Sequence, residues 1–174
     1  DIAFYLNYKK LIKKHNSIGV NISGLLWSND MKFVKTDYKK LIINLINYLL
    51  KEEKKIYLIS HVNSPINSSS TDHDFFINSF IKNKFYKNNK NVVLVKEFNN
   101  SIKAKTYLSS LEFVFASRMH LAVSSVSAKV PTIALAWNDK YLGVFNRISY
   151  PFIFDLTNKK NHVDDLLKVF SIDE

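Results

Sequence analysis

The chemistry of this chain is concentrated where Arg118 and His120 follow the apolar run Phe113-Val-Phe-Ala-Ser117 without a spacer. An Arg presents a planar fork of N–H donors that matches a carboxylate or a phosphate. A His is the side chain whose ordinary titration range reaches neutral pH. If the run is a buried strand and the next residues open a helix, both side chains lie in that helix's first turn. Unbonded backbone N–H groups and the positive end of the helix dipole favour an anion there. The pattern is anion recognition beside a general acid or base. The competing reading is a buried Arg and His that cap neighbouring loops.

Other candidates follow from the same logic. Lys140 comes three residues after an apolar run that ends at Trp137, so its ammonium is expected at the same pocket, although the chain has many surface Lys. Ser117, His61 and Gly24 close or follow other apolar runs. Ser23-Gly24 resembles a turn that lets a phosphate approach the backbone, but no Gly-x-Gly-x-x-Gly or P-loop pattern accompanies it. Asp72-His-Asp74 has the look of a paired acidic metal site. The preferred reading is that Asp72 caps a helix and the two carboxylates diverge, so no metal is expected. Trp27 and Trp137 sit at the ends of runs, where they would line a sugar-binding crevice or pack at its rim.

The elements that must position these residues alternate between two periods. Residues 18–27 are β-branched and apolar and read as a strand ending at the polar turn 28–30. Thr36 or Asp37 caps a helix to about Glu53, with Leu41, Ile42, Leu45, Ile46 and Leu49 at three- and four-residue spacing. Further strands are expected at 55–61, 91–95, 113–117, 131–137 and 152–154. Further helices are expected at 73–86, 101–110, 119–128, 139–147 and 163–170, the first of them burying Phe76, Ile77, Phe80 and Ile81. A polar loop spans 63–71. Strand-helix alternation of this kind predicts an α/β, Rossmann-like three-layer domain with a mainly parallel sheet. Its ligand crevice lies outside the carboxyl ends of the strands. Residues 1–17 read as a lead-in segment and 18–174 as the domain.

Composition narrows the classes further. The 174 residues suit about one domain. Hydrophobic residues make up 47%, and only 3 Gly and 3 Pro occur, which excludes disordered or collagen-like chains. There is no Cys, so disulfides, thiolate metal sites and a Cys nucleophile are excluded, and a reducing compartment is expected. The net charge of +10 comes almost wholly from scattered Lys, since Arg118 and Arg147 are the only Arg. No recognition motif accompanies that charge, so no nucleic-acid partner is expected. No leader sequence or spanning segment is apparent.

Residues 113–143 resemble the C-terminal signature of the polysaccharide pyruvyl transferase family. That signature reads Ser-Arg-x-His, a helix of small residues, a Val-Pro strand, an aromatic residue, two variable positions, then Lys and a nearby Gly. Here these are Ser117, Arg118, His120, Val130-Pro131, Trp137, Lys140 and Gly143. Residues 18–24 and Leu58-Ile-Ser-His61 with Asp72 extend the likeness. Trp137 stands where the family more often has Tyr.

The resemblance implies the C-terminal half of a GT-B-type two-domain transferase, whose N-terminal domain would form the other wall of the active-site cleft. It implies transfer of pyruvate from phosphoenolpyruvate to a sugar as a ketal, in cell-surface polysaccharide synthesis. His120 and Arg118 are then catalytic, and Arg118, Lys140, Ser117, Gly24 and His61 bind the donor. No cofactor is implied beyond the donor itself. The acceptor is a glycan or lipid-linked sugar, and the expected location is cytoplasmic, at the inner face of a membrane. Two alternatives stay open: a nucleotide-sugar glycosyltransferase domain and a non-catalytic α/β binding module.

Overall fold

Six parallel strands form one sheet in the computed structural model, which describes residues 2–28, 31–62, 72–158 and 164–167. After a 3₁₀ turn (Ile2–Tyr5), the strands are β1 (Ser17–Asn21), β2 (Lys55–Ile59), β3 (Val92–Leu94), β4 (Phe113–Ala116), β5 (Thr132–Ala136) and β6 (Ile153–Asp155). The helices are α1 (Gly24–Ser28), α2 (Tyr38–Lys51), α3 (Asp74–Phe85), α4 (Ser101–Leu108), α5 (Met119–Ser127) and α6 (Asp139–Arg147). The order across the sheet is β3-β2-β1-β4-β5-β6. This is the three-layer, Rossmann-like α/β architecture the alternation predicts.

The two-residue period of each strand divides its side chains between two cores. Ile18, Val20, Ile56, Leu58, Phe115 and Leu135 face one layer, where Leu41, Leu45 and Leu49 of α2 and Ile77 and Ile81 of α3 meet them. Ile59, Val114, Ala116 and Ala134 face the other, against Leu108, Leu121, Val123, Tyr141 and Phe145. Small Ala residues on that face let α5 lie close to the sheet. Lys105, almost fully buried, donates from Nζ to the carbonyls of Ala3 (3.0 Å) and Phe4 (3.3 Å), tying the first residues to this layer.

Helix starts follow capping chemistry. Asp37 caps α2 by accepting from the Lys40 N–H, and Asn100 and Asn138 cap α4 and α6 in the same way. Helices α2 and α5 run into left-handed residues that are not Gly: Glu53 (φ 55°) and Lys129 (φ 59°).

Three expectations need correction. The first strand stops at Asn21 rather than Trp27, because Ser23 accepts from the Leu26 N–H through its hydroxyl (3.3 Å) and its carbonyl starts α1. The cap of α3 is His73, whose Nδ1 accepts from the Phe76 N–H, and not Asp72. Helix α3 buries Asp74, Ile77, Asn78 and Ile81, while Phe76 and Phe80 stand 67% and 40% exposed. The polar face turns inward there because Asp74 and Asn78 carry hydrogen bonds that an apolar face could not. The loop at 63–71 and the ends of the last helix lie outside the described residues. Among the described residues no helix is long and apolar enough to cross a membrane.

Candidate active site

The sheet changes winding direction between β1 and β4, and the crevice expected at that point is built from the last residues of both strands. Asn21 ends β1. Its Nδ2 donates to the Ile59 carbonyl (2.9 Å), and its Oδ1 accepts from the Arg118 N–H (2.9 Å). One amide therefore joins β1, β2 and the start of α5. Below it, the Ser23 N–H donates to the Tyr38 hydroxyl (2.9 Å), which donates to Ser117 Oγ (2.7 Å). The Ser117 carbonyl accepts from the Tyr141 hydroxyl (2.7 Å) and from Trp137 Nε1 (3.2 Å). Burial pushes the Tyr38 and Tyr141 phenols well above their ordinary range, so both remain neutral donors.

Asp74 is the centre of the crevice floor. It is fully buried. Its Oδ1 accepts from the Gly24 N–H (2.9 Å), and its Oδ2 accepts from the N–H groups of His61 and Val62 (3.1 Å each). Arg118 completes it: Nη2 donates to Oδ1 (2.7 Å) and Nε lies 3.2 and 3.3 Å from the two oxygens. Nη2 also donates to Asp72 Oδ1. Burial acts to lower the Arg118 pKa, but the two carboxylates outweigh it and raise the value further above its usual range. The guanidinium is a permanent cation with two internal counter-ions.

This geometry revises several sequence expectations. Asp72 and Asp74 converge on Arg118 instead of diverging. The Arg118 fork is turned to the chain's own carboxylates, so it is not freely presented to a ligand. Ser117 is fully buried, with its hydroxyl and carbonyl both bonded. Gly24 is buried beneath the start of α3, where an added Cβ would come 2.8 Å from the His73 backbone. Its lack of a side chain serves that close approach, and its N–H is given to Asp74. Neither Ser117 nor Gly24 lines the pocket.

The pocket itself is a cavity of 230 Å³ at the carboxyl edge of β4 and β5. His61, Arg118, His120, Trp137, Asn138 and Lys140 line it. His61 and His120 face one another with ring centroids 6.2 Å apart and planes at 25°. His120 and Lys140 are exposed on its rim. Partial burial lowers the His61 pKa, Asp74 opposes that, and His120 and Arg118 add to it, so the ring favours its neutral form. The first turn of α5 has no side-chain cap. Trp137 stacks on Phe33 (6.3 Å, 17°) at one side. Among the described residues no group of three or more His, Asp or Glu is placed to hold a metal ion.

Sequence reasoning thus brought four of its six candidates to one cavity and missed Asn21, Tyr38, Asp74 and Tyr141 as its framework. A polar Asn closing an otherwise apolar strand, and an Asp-x-Asp at a helix start, were the available signals. Their partners lie 44 and 97 residues away along the chain.

No curated protein and no solved structure matches the chain. The family model described as polysaccharide pyruvyl transferase matches residues 1–139, a span that takes in β1 to β5, the Asp74–Arg118 pair and His120, and stops one residue before Lys140. The chain belongs to the polysaccharide pyruvyl transferase family.

Proposed function

We propose that this domain binds phosphoenolpyruvate in the pocket between His61, His120 and Lys140 and transfers its pyruvyl group to a sugar as a ketal. The observation that carries the reading is the convergence of two facing imidazoles and a Lys on one cavity beside an uncapped helix start. The donor has two anionic groups. Lys140 and the first turn of α5 supply positive charge for them without a metal or a cofactor. Arg118 acts as a positioning residue: through Asp74 it ties the His61–Val62 backbone to the start of α5, so that the two imidazoles stay opposed.

The chemistry requires a proton at C3 of the donor and two new C–O bonds at C2. His120 delivers the proton as the first sugar hydroxyl bonds to C2 and gives its own proton to a base. A second hydroxyl of the same sugar then bonds to C2 as inorganic phosphate leaves. General acid–base assistance of this kind contributes about 10²–10⁴ in rate. In this reading a second Rossmann-like domain closes the other wall of the cleft, as in GT-B enzymes. The acceptor belongs to a cell-surface glycan or its lipid-linked precursor, and the reaction is cytoplasmic.

The test is phosphate release from phosphoenolpyruvate by the full-length protein with candidate glycans. His120→Asn is expected to lower turnover by about 10²–10⁴ with donor affinity kept. Unchanged turnover in that variant, or no phosphate release with any glycan, overturns the reading.

A further inference from the structure

A second cavity, of 190 Å³, opens on the same sheet edge between the starts of α4 and α5. His61 lines both cavities, so the two adjoin at this residue. The lining has a definite chemistry. Beside His61 it carries Ser60, Asn99, Asn100, Ser101 and Ser124 over a floor of aliphatic side chains, with Phe98 at one side. None of its lining residues is Asp, Glu, Lys or Arg.

We propose that this cavity is the acceptor subsite, which takes one neutral pyranose ring and presents its hydroxyls beside His61, where the two cavities adjoin. The inference rests on the transfer proposed above and names its acceptor class. Side-chain hydroxyls and amides both donate and accept, as sugar hydroxyls do, and a set without fixed charge suits a neutral ligand. Ser60 accepts from Asn78 Nδ2 (3.1 Å), which leaves its own O–H to donate, and Asn100 uses its oxygen to cap α4, which leaves its NH₂. Pockets for drug-sized ligands run to about 300–1,000 Å³, so a smaller cavity suits a single ring better than an oligosaccharide. The other aromatic at this edge is a poorer platform. Trp137 has one face against Phe33 and its N–H held by the Ser117 carbonyl. A nucleoside diphosphate would need cations that this lining lacks.

The placement also supplies the missing base. The first hydroxyl bonds to C2 of the donor as its proton passes to His61, while His120 gives a proton to C3. The second hydroxyl bonds to C2 as the C–O bond to phosphate breaks. Its proton returns to His120, and the proton on His61 leaves with phosphate. Both imidazoles end as they began.

Two variants test the subsite on the full chain. Asn99→Ala removes an exposed amide, and Ser124→Val narrows the cavity and removes a hydroxyl. Saturation-transfer NMR with a panel of methyl hexopyranosides reads sugar binding, and titration with phosphoenolpyruvate reads the donor pocket. The expected result is sugar binding weakened about three- to tenfold in each variant, the range for one lost neutral hydrogen bond, with donor binding unchanged. The proposal is overturned if no methyl hexopyranoside binds, if sugar binding is undiminished in Asn99→Ala, or if uridine diphosphate competes for the cavity. Asn99 is exposed, so that variant stays informative even if Ser124→Val does not fold. Sugar binding that responds to the variants without phosphate release from phosphoenolpyruvate would sink the transfer reading and leave the subsite standing. Phosphate release with sugar binding blind to the variants would do the reverse.

Discussion

Replacing Asp74 by Asn is the sharpest test of how the crevice is held together. The carboxylate is fully buried and accepts three backbone N–H groups, from Gly24, His61 and Val62, besides two guanidinium nitrogens of Arg118. An amide keeps the shape but loses the charge and turns an NH₂ toward groups that are all donors. Arg118, 9% exposed at its side chain, then keeps only Asp72 as a counter-ion. Breaking one partner of a buried pair costs about 3–5 kcal/mol. For a chain of this length each kcal/mol moves the melting temperature by about 2–4 °C, so a drop of about 6–20 °C is expected. Asp72 provides the internal control. Its side chain is 33% exposed and it is only the second counter-ion, so Asp72→Asn should cost within about 1 kcal/mol. Urea and thermal unfolding of the two variants in parallel give the comparison. A cost for Asp74→Asn below about 1 kcal/mol, or equal costs for the two, would refute the view that Asp74 is the hub and Asp72 an accessory.

Further outcomes follow from the same geometry. Asp72→Asn should also free Arg118 Nη2 toward the pocket and tighten phosphoenolpyruvate binding severalfold; weaker binding measured by calorimetry would mean that Asp72 contacts the donor side itself. Because the folded-state pKa of His61 lies below its ordinary value, the unfolded chain takes up this proton first. The His61 contribution to stability is therefore level above about pH 6.5 and declines as pH falls through the folded value, and an imidazole NMR titration midpoint at or above 6.5 would contradict this. Gly24→Ala should destabilise the fold by about 1–3 kcal/mol in urea, since its Cβ meets backbone rather than a movable side chain. Lys129→Gly should stabilise it by about 0.5–1 kcal/mol, because Lys129 occupies the left-handed region that Gly enters freely, and an unchanged urea midpoint would count against that account.

Much of this protein was legible before its fold. The apolar periods of Leu41 to Leu49 and of the strand runs, the cap expected at Thr36 or Asp37, and the abrupt passage from Phe115 to His120 are local properties. They act over a few residues, so they determined the element order, the parallel sheet and which residues reach its carboxyl edge. That reasoning brought His61, Arg118, His120 and Lys140 to one cavity. It failed where the decisive partner is remote. The spacing of Phe76 and Phe80 argued for a buried face, but α3 rotates to seat Asp74 and Asn78 inside, because a buried carboxylate must be met by donors and these come from Gly24, His61, Val62 and Arg118. Nothing in residues 72–74 alone indicates that the charges of Asp72 and Asp74 are spent on an Arg 46 and 44 positions later. For the same reason Arg118 could be read from sequence as an open anion fork, and Ser117 and Gly24 as ligand contacts, until the tertiary structure closed all three into the crevice floor. Hydrophobic burial follows a local pattern along the chain, whereas the pairing of buried polar groups depends on which distant segments the fold brings within about 3 Å of each other.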